Sequence, residues 1–152
     1  MNTDDLAALL HKSLEAHTAQ ATLRRVHLRS ELPSELTVPG DEPWLRRAID
    51  NLIDNAIAFA DSPTGQPAHV TIALRSDPDL ACVQLEVRNP GAGIAPDALE
   101  HIFDRFYKSG DSGGSGLGLA IARQLVLAHG GQIYAQSQPG QGAVISFELP
   151  LG

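Results

Sequence analysis

The chain has 152 residues, 43% hydrophobic and 19% charged, a balance that suits one packed domain and excludes a disordered or fibrous chain. Its net charge of −7 supplies no basic face for nucleic acid, so a polyanionic ligand must be met by local donors and a metal ion. A lone cysteine, Cys82, excludes an internal disulfide, and no apolar run is long enough to span a bilayer. Residues 3–20 have helical spacing, with Leu6, Leu9, Leu10 and Leu14 as the apolar stripe and Asp4 and Asp5 in the first turn, where the helix dipole favours acids. Val26 and Leu28 alternate with polar residues over 25–30, a short strand, and 35–38 is expected to be its neighbour after the break at Leu32-Pro33-Ser34. Asp41 is placed to cap a helix over 42–60, whose first turn tolerates Pro43. A loop over 61–67 leads to strands at 68–75 and 82–88. A glycine-rich turn at 90–96, a short helix at 97–106, a loop at 108–114 and a helix at 117–129 follow. Strands at 131–137 and 143–149 close the chain as an antiparallel hairpin. With no internal repeat, the expectation is one domain over 1–152, with a helix layer on one face of a mixed sheet.

Some segments carry chemistry. In Gly113-Gly114-Ser115-Gly116-Leu117-Gly118-Leu119, glycines alternate just ahead of an apolar helix. Unpaired N–H groups at a helix start attract anions, and glycines let a phosphate approach the backbone. The same run also reads as a flexible linker. On the helix at 42–60, Leu45, Ile49, Leu52, Ile53 and Ala56 form the core stripe, and Asp50 and Asp54 are expected to point away into solvent. Asn51 and Asn55, four apart, share a flank at the stripe's edge. They are either two solvated polar residues or a pair of oxygen donors suited to Mg²⁺ shared with phosphates. At the end of the strand 82–88, Asn89 stands before Pro90-Gly91-Ala92-Gly93-Ile94. An asparagine amide both donates and accepts, so this is either a base-reading position or a plain surface turn. In Ile102-Phe103-Asp104-Arg105-Phe106-Tyr107-Lys108, aromatics that suit packing precede a cationic pair able to reach a phosphate.

The order of these segments resembles the N, G1, F and G2 boxes of the catalytic, ATP-binding domain of sensor histidine kinases, and the resemblance runs from about Thr3 to Pro150. The asparagine-proline-glycine form of the second box looks most like the branch that responds to heavy metals. The resemblance implies the Bergerat (GHKL) fold, shared with gyrase, Hsp90 and MutL ATPase domains: an α/β two-layer sandwich. Its mixed, mostly antiparallel sheet has about five strands, covered on one face by about three helices. It also implies ATP and Mg²⁺ as ligands. Asn55 matches the metal ligand, and Asn51 a contact to phosphate or metal-bound water. Asn89 matches the residue that reads the adenine amino group, with Gly91, Gly93 and Ile94 lining that end and Phe59 packing on the base. Tyr107 and Lys108 match lid contacts to phosphate. Gly114, Gly116, Leu117, Gly118 and Leu119 match the turn and helix start beneath the phosphates.

Three positions depart from the family pattern. Asn89 stands where aspartate is usual, which keeps the acceptor oxygen and loses the charge. Ala58 stands where a lysine or arginine is common, shifting phosphate neutralisation toward Lys108 or Arg105. The segment from Lys108 to Gly114 is a short lid. No residue matches the family's phosphoacceptor histidine, and no catalytic residue is assigned. His11, His17, His27, His69, His101 and His129 read as surface or packing residues. The chain is therefore expected to be the catalytic piece of a longer kinase. Its partners would be ATP, the dimerisation and phosphoacceptor domain of its own parent and, through that domain, a response regulator, with no nucleic acid and no membrane contact of its own. The parent is expected in the bacterial inner membrane, with this domain in the cytoplasm. The alternatives are a degenerate nucleotide-binding module and an anti-sigma-type serine kinase of the same fold. A gyrase-like ATPase is disfavoured because Asn51 occupies the position of the water-activating glutamate.

Overall fold

The computed structural model describes residues 3–60, 65–91, 93–105, 118–138 and 142–151. In chain order the elements are β1 (Thr3–Asp5), α1 (Leu6–Leu23), β2 (Val26–Glu31), β3 (Thr37–Pro39) and α2 (Glu42–Phe59). They continue with β4 (Ala68–Asp77), β5 (Cys82–Asn89), α3 (Pro96–Leu99), α4 (Gly118–Ala128), β6 (Gln132–Gln138) and β7 (Gly142–Pro150). Five strands form one sheet in the order β2-β4-β5-β7-β6, with β2 and β4 parallel and every other pair antiparallel.

Strand alternation builds the core. Leu74, Leu85 and Phe147 are successive cross-strand partners on β4, β5 and β7, as are Ile72, Val87 and Ile145, and all six are buried. Against this face α2 lays Leu45, Ile49, Leu52, Ile53 and Ala56, the stripe read from its sequence, together with Ala48 and Ile57. From α4, Ala120, Ala122 and Val126 are buried, and from α1 Leu6, Ala7, Leu9 and Leu10. The two-layer sandwich and its mostly antiparallel sheet thus agree with the sequence expectation. No helix among the described residues is long and apolar enough to cross a membrane.

Several local expectations are corrected. The segment expected beside residues 25–30 instead pairs with the chain start: β3 lies antiparallel to β1, and β2 pairs in parallel with β4. Parallel neighbours need a long crossover, and the segment from β2 to β4 that contains α2 provides it. Residues 3–5 are strand, and the first helix starts at Leu6 because Asp5 is its N-cap, accepting from Ala7 N at 3.1 Å and Ala8 N at 3.4 Å. Asp5 also accepts from Leu36 N at 3.1 Å, which ties the helix start to the approach of β3. Asp41 precedes α2 without a side-chain cap bond. The helix expected over 97–106 is only the short α3, after which residues 100–105 turn.

Asp50 and Asp54, expected in open solvent, face α1. The buried Ser13 hydroxyl and Arg46 Nε both donate to Asp50 Oδ1, and Asp54 Oδ1 lies 2.9 Å from Nε2 of the buried His17. The apolar stripe of α1 gives way to Ser13 and His17 along the same helix face, so polar groups of α2 are needed opposite them.

Candidate functional site

The edge of α2 that carries the site begins at Asn51 and Asn55, both half-buried, with Phe59 exposed one turn further on. Nδ2 of Asn51 donates to the carbonyl of Gly118, the first residue of α4, at 3.0 Å. A side chain at Gly118 would bring its Cβ to 4.0 Å from Asn51 Cβ and Cγ, so the helix start packs directly on this flank. Leu119, half-buried, packs against the core just behind it. The far end of α4 is fastened too: Asp41 N–H donates to His129 Nε2 at 3.2 Å, and His129 Nδ1 lies 2.8 Å from Leu125 O. A neutral ring protonated on Nδ1 satisfies both contacts. Gly40 leaves room for that ring, since a Cβ there would sit 2.8 Å from His129 Cδ2.

The second wall comes from the sheet. Val83, Leu85 and Val87 of β5 turn to the helix layer, and Asn89 continues that alternation at the strand's end, only 8% exposed. No described residue hydrogen-bonds its side chain. Beyond it, Gly91 and Gly93 have φ of +137° and +84°, conformations that favour glycine. Ile94, half-buried, donates its N–H to Ser137 Oγ at 2.6 Å, and that hydroxyl donates to Gly142 O at 3.1 Å. Gly142 has φ +82°, and a Cβ on it would come within 2.1 Å of Asn89 O. The base of the β6–β7 hairpin therefore clamps Asn89 and the following turn in place.

The helix α2 packs on both β5 and α4. Asn51 meets Gly118 directly, with Leu119 beside it and Asn55 and Phe59 further along the α2 edge, while Asn89, Gly91, Gly93 and Ile94 follow one another at the end of β5. Tyr107, Lys108, Gly114, Gly116 and Leu117 lie outside the described residues. Sequence reasoning missed Ser137 and Gly142, which hold the turn from another strand pair. Ser137 had no signal, being an ordinary strand serine 43 residues from its partner Ile94. Gly142 lies just before the strand expected at 143–149, and no local pattern ties it to Asn89.

The donors of these segments are neutral amides, and Ala58 adds no charge to the flank. Among the described residues no three histidine, cysteine or carboxylate side chains group as a metal cage. That donor set fits Mg²⁺ held mainly by phosphate oxygens and water, with one or two protein oxygens, and Asn55 and Asn51 are the residues that would supply them.

Comparison with known proteins gives a consistent picture. The model of the family described as "Histidine kinase-, DNA gyrase B-, and HSP90-like ATPase" matches residues 40–152. The chain is 34% identical over 155 residues to the sensor-like histidine kinase SenX3 of Mycobacterium tuberculosis, an alignment covering 99% of the chain and 36% of SenX3. It is 39% identical over 121 residues to the sensor histidine kinase WalK of Bacillus subtilis, covering 76% of the chain and 19% of WalK. The chain thus spans about a third or less of these relatives. Among solved structures, the mycobacterial sensor histidine kinase MprB superposes with a TM-score of 0.83 at 30% identity, over 98% of this chain and 96% of that one. Full-length ShkA in complex with AMPPNP superposes with a TM-score of 0.84 at 31% identity, over 99% of this chain and 31% of ShkA.

Proposed function

Because the chain belongs to the histidine kinase-, DNA gyrase B- and HSP90-like ATPase family, we propose that it binds Mg-ATP and presents the γ-phosphate to a histidine on the dimerisation domain of a parent sensor kinase. The observation that carries this reading is Asn89: a polar side chain only 8% exposed, bonded to no described residue, at the end of a strand on which α2 packs. An amide at this depth can both accept and donate, and the adenine edge offers a donor for its oxygen. That the similar ShkA structure holds AMPPNP, an ATP analogue, supports the same ligand class.

In this reading Asn89, Gly91, Gly93 and Ile94 hold the base, and Phe59 covers it. Asn51 and Asn55 serve the phosphates, and by their match to the family Gly114, Gly116, Leu117, Gly118, Leu119, Tyr107 and Lys108 are further phosphate contacts. Mg²⁺, when bound, neutralises charge on the phosphate oxygens. The chain's own contribution is alignment: it holds the γ-phosphorus in line with an incoming imidazole nitrogen. A bond forms from that nitrogen to phosphorus, the bond to the bridging oxygen breaks, and ADP leaves. Asn51 is a poor base for activating water, which favours transfer over hydrolysis. The working location is the cytoplasmic side of a membrane-anchored parent, and the response regulator is reached through the phosphorylated domain.

The test supplies labelled ATP and Mg²⁺ to the chain, alone and with the parent's dimerisation domain. Acid-labile label on a histidine of that domain, with none on this chain alone, is the expected result. Label on a partner's serine would establish a serine kinase instead. Loss of any Mg²⁺-dependent ATP affinity would reduce the chain to a degenerate module.

A further inference from the structure

The open face of the sheet carries a pair of histidines that the nucleotide site does not use. His27 of β2 and His69 of β4 are direct partners in the parallel register, His27 to His69, and both are exposed. Their neighbours Val26, Ala68 and Val70 are buried, so strand alternation turns both imidazoles to the face away from the helix layer. The ring centroids are 5.2 Å apart and the planes tilt by 34°.

That spacing has a chemical meaning. Metal–nitrogen bonds of about 2.0–2.1 Å and a tetrahedral angle put two imidazole centroids on one ion about 5 Å apart. Neighbouring strands about 4.8 Å apart already hold the two facing imidazoles at this separation, so sharing one ion requires no movement of the backbone, and two cationic rings would repel. Rotation about the terminal torsion, cheap at an exposed position, turns either nitrogen of each ring toward the gap. We infer that His27 and His69 form a two-histidine chelating site for a divalent transition-metal ion, bridging the edge strand β2 to β4, with water in the remaining positions.

Desolvation, the Arg29 guanidinium and His27 together push the His69 imidazole below its ordinary value, which leaves it in the neutral form that ligates metal. The Arg29 charge also opposes any cation. The site therefore selects ions that bond imidazole strongly, such as Cu²⁺, Ni²⁺ and Zn²⁺, over Mg²⁺ and Ca²⁺, which are held by oxygen and charge. Among the described residues no third histidine, cysteine or carboxylate joins the pair, so affinity is modest and the site remains open.

The experiment is calorimetric titration of Zn²⁺ into the nucleotide-free chain, with thermal melts and imidazole NMR alongside. Expected are saturable one-to-one binding, shifts at the His27 and His69 resonances, and a rise in Tm of about 3 °C from the link across the strands. His27→Gln and His69→Gln should each weaken binding about ten-fold or more and abolish the Tm rise, without changing the fold of an exposed sheet face. His101→Gln is the control, because His101 Nδ1 lies 2.8 Å from the Asp104 carboxylate and offers the obvious competing contact. Binding unaffected by His27→Gln and His69→Gln, binding lost in His101→Gln, or no saturable binding would each overturn the inference.

Discussion

Asn55 is half-buried and bonded to no described residue, so its amide contributes little to holding the fold together. Asn55→Ala should therefore lower Mg-ATP affinity about ten-fold by calorimetry, the value of a hydrogen bond to a charged group, and leave Tm nearly unchanged. Gly142→Ala should do the reverse. At φ +82°, with Asn89 O 2.1 Å from the would-be Cβ, the substitution should cost about 2 kcal/mol or more in urea unfolding and displace the Asn89 turn. Asp4 titrates against its surroundings: burial, then Glu42 and Asp41, raise its carboxyl above the ordinary 3.8, and Oδ2 has no partner. The folded state thus prefers the protonated acid, and stability falls as pH rises through the raised value. Asp4→Asn should be more stable than the parent chain at about pH 7, with the gain vanishing by about pH 3, where folded and unfolded states both carry the acid form. Denaturant melts at the two pH values check this.

At the scale of elements, polar contacts join the helix layer beside its apolar core. The α1–α2 seam holds Ser13, at 0% exposure, on Asp50, which Arg46 also bonds at 3.0 Å. His17 spans Ser13 O at 2.7 Å and Asp54 at 2.9 Å. Asp50→Ala leaves a buried hydroxyl without its acceptor and frees Arg46, so it should cost about 1–3 kcal/mol in chemical denaturation. This seam was not legible in the sequence. A helical wheel places Asp50 and Asp54 opposite the stripe that meets the sheet, but it does not say that a second helix lies there. The α2 stripe itself was legible at five of its seven buried positions, all but Ala48 and Ile57, because helical spacing leaves one face for the core. Both anchors of α4, to Asn51 at one end and to Asp41 through His129 at the other, join residues too far apart in sequence for any local pattern to link them.

Across the whole molecule, Phe147 is the largest fully buried side chain and sits between Leu85 and Ile133 in the sheet register. Phe147→Ala should cost about 3–5 kcal/mol and lower the midpoint of one cooperative transition, because the same core is shared by sheet and helices. Circular dichroism and nucleotide affinity should be lost together on its melting. The amphipathic periods, the turns and the ordered asparagine and glycine segments were readable from composition and spacing, because these are local properties of a chain with a period of 3.6 or 2. They were enough to indicate a helix layer on a mixed sheet, whereas the nucleotide pocket was implied by the resemblance of the ordered segments to sensor histidine kinases. Strand partners were not readable: β3 could have joined β2 and instead joins β1, while β2 pairs in parallel with β4. Nor was the clamp on Asn89 by Ser137 and Gly142, or the His27–His69 pair. Each depends on register between distant strands, which long-range packing selects and no short window of sequence contains.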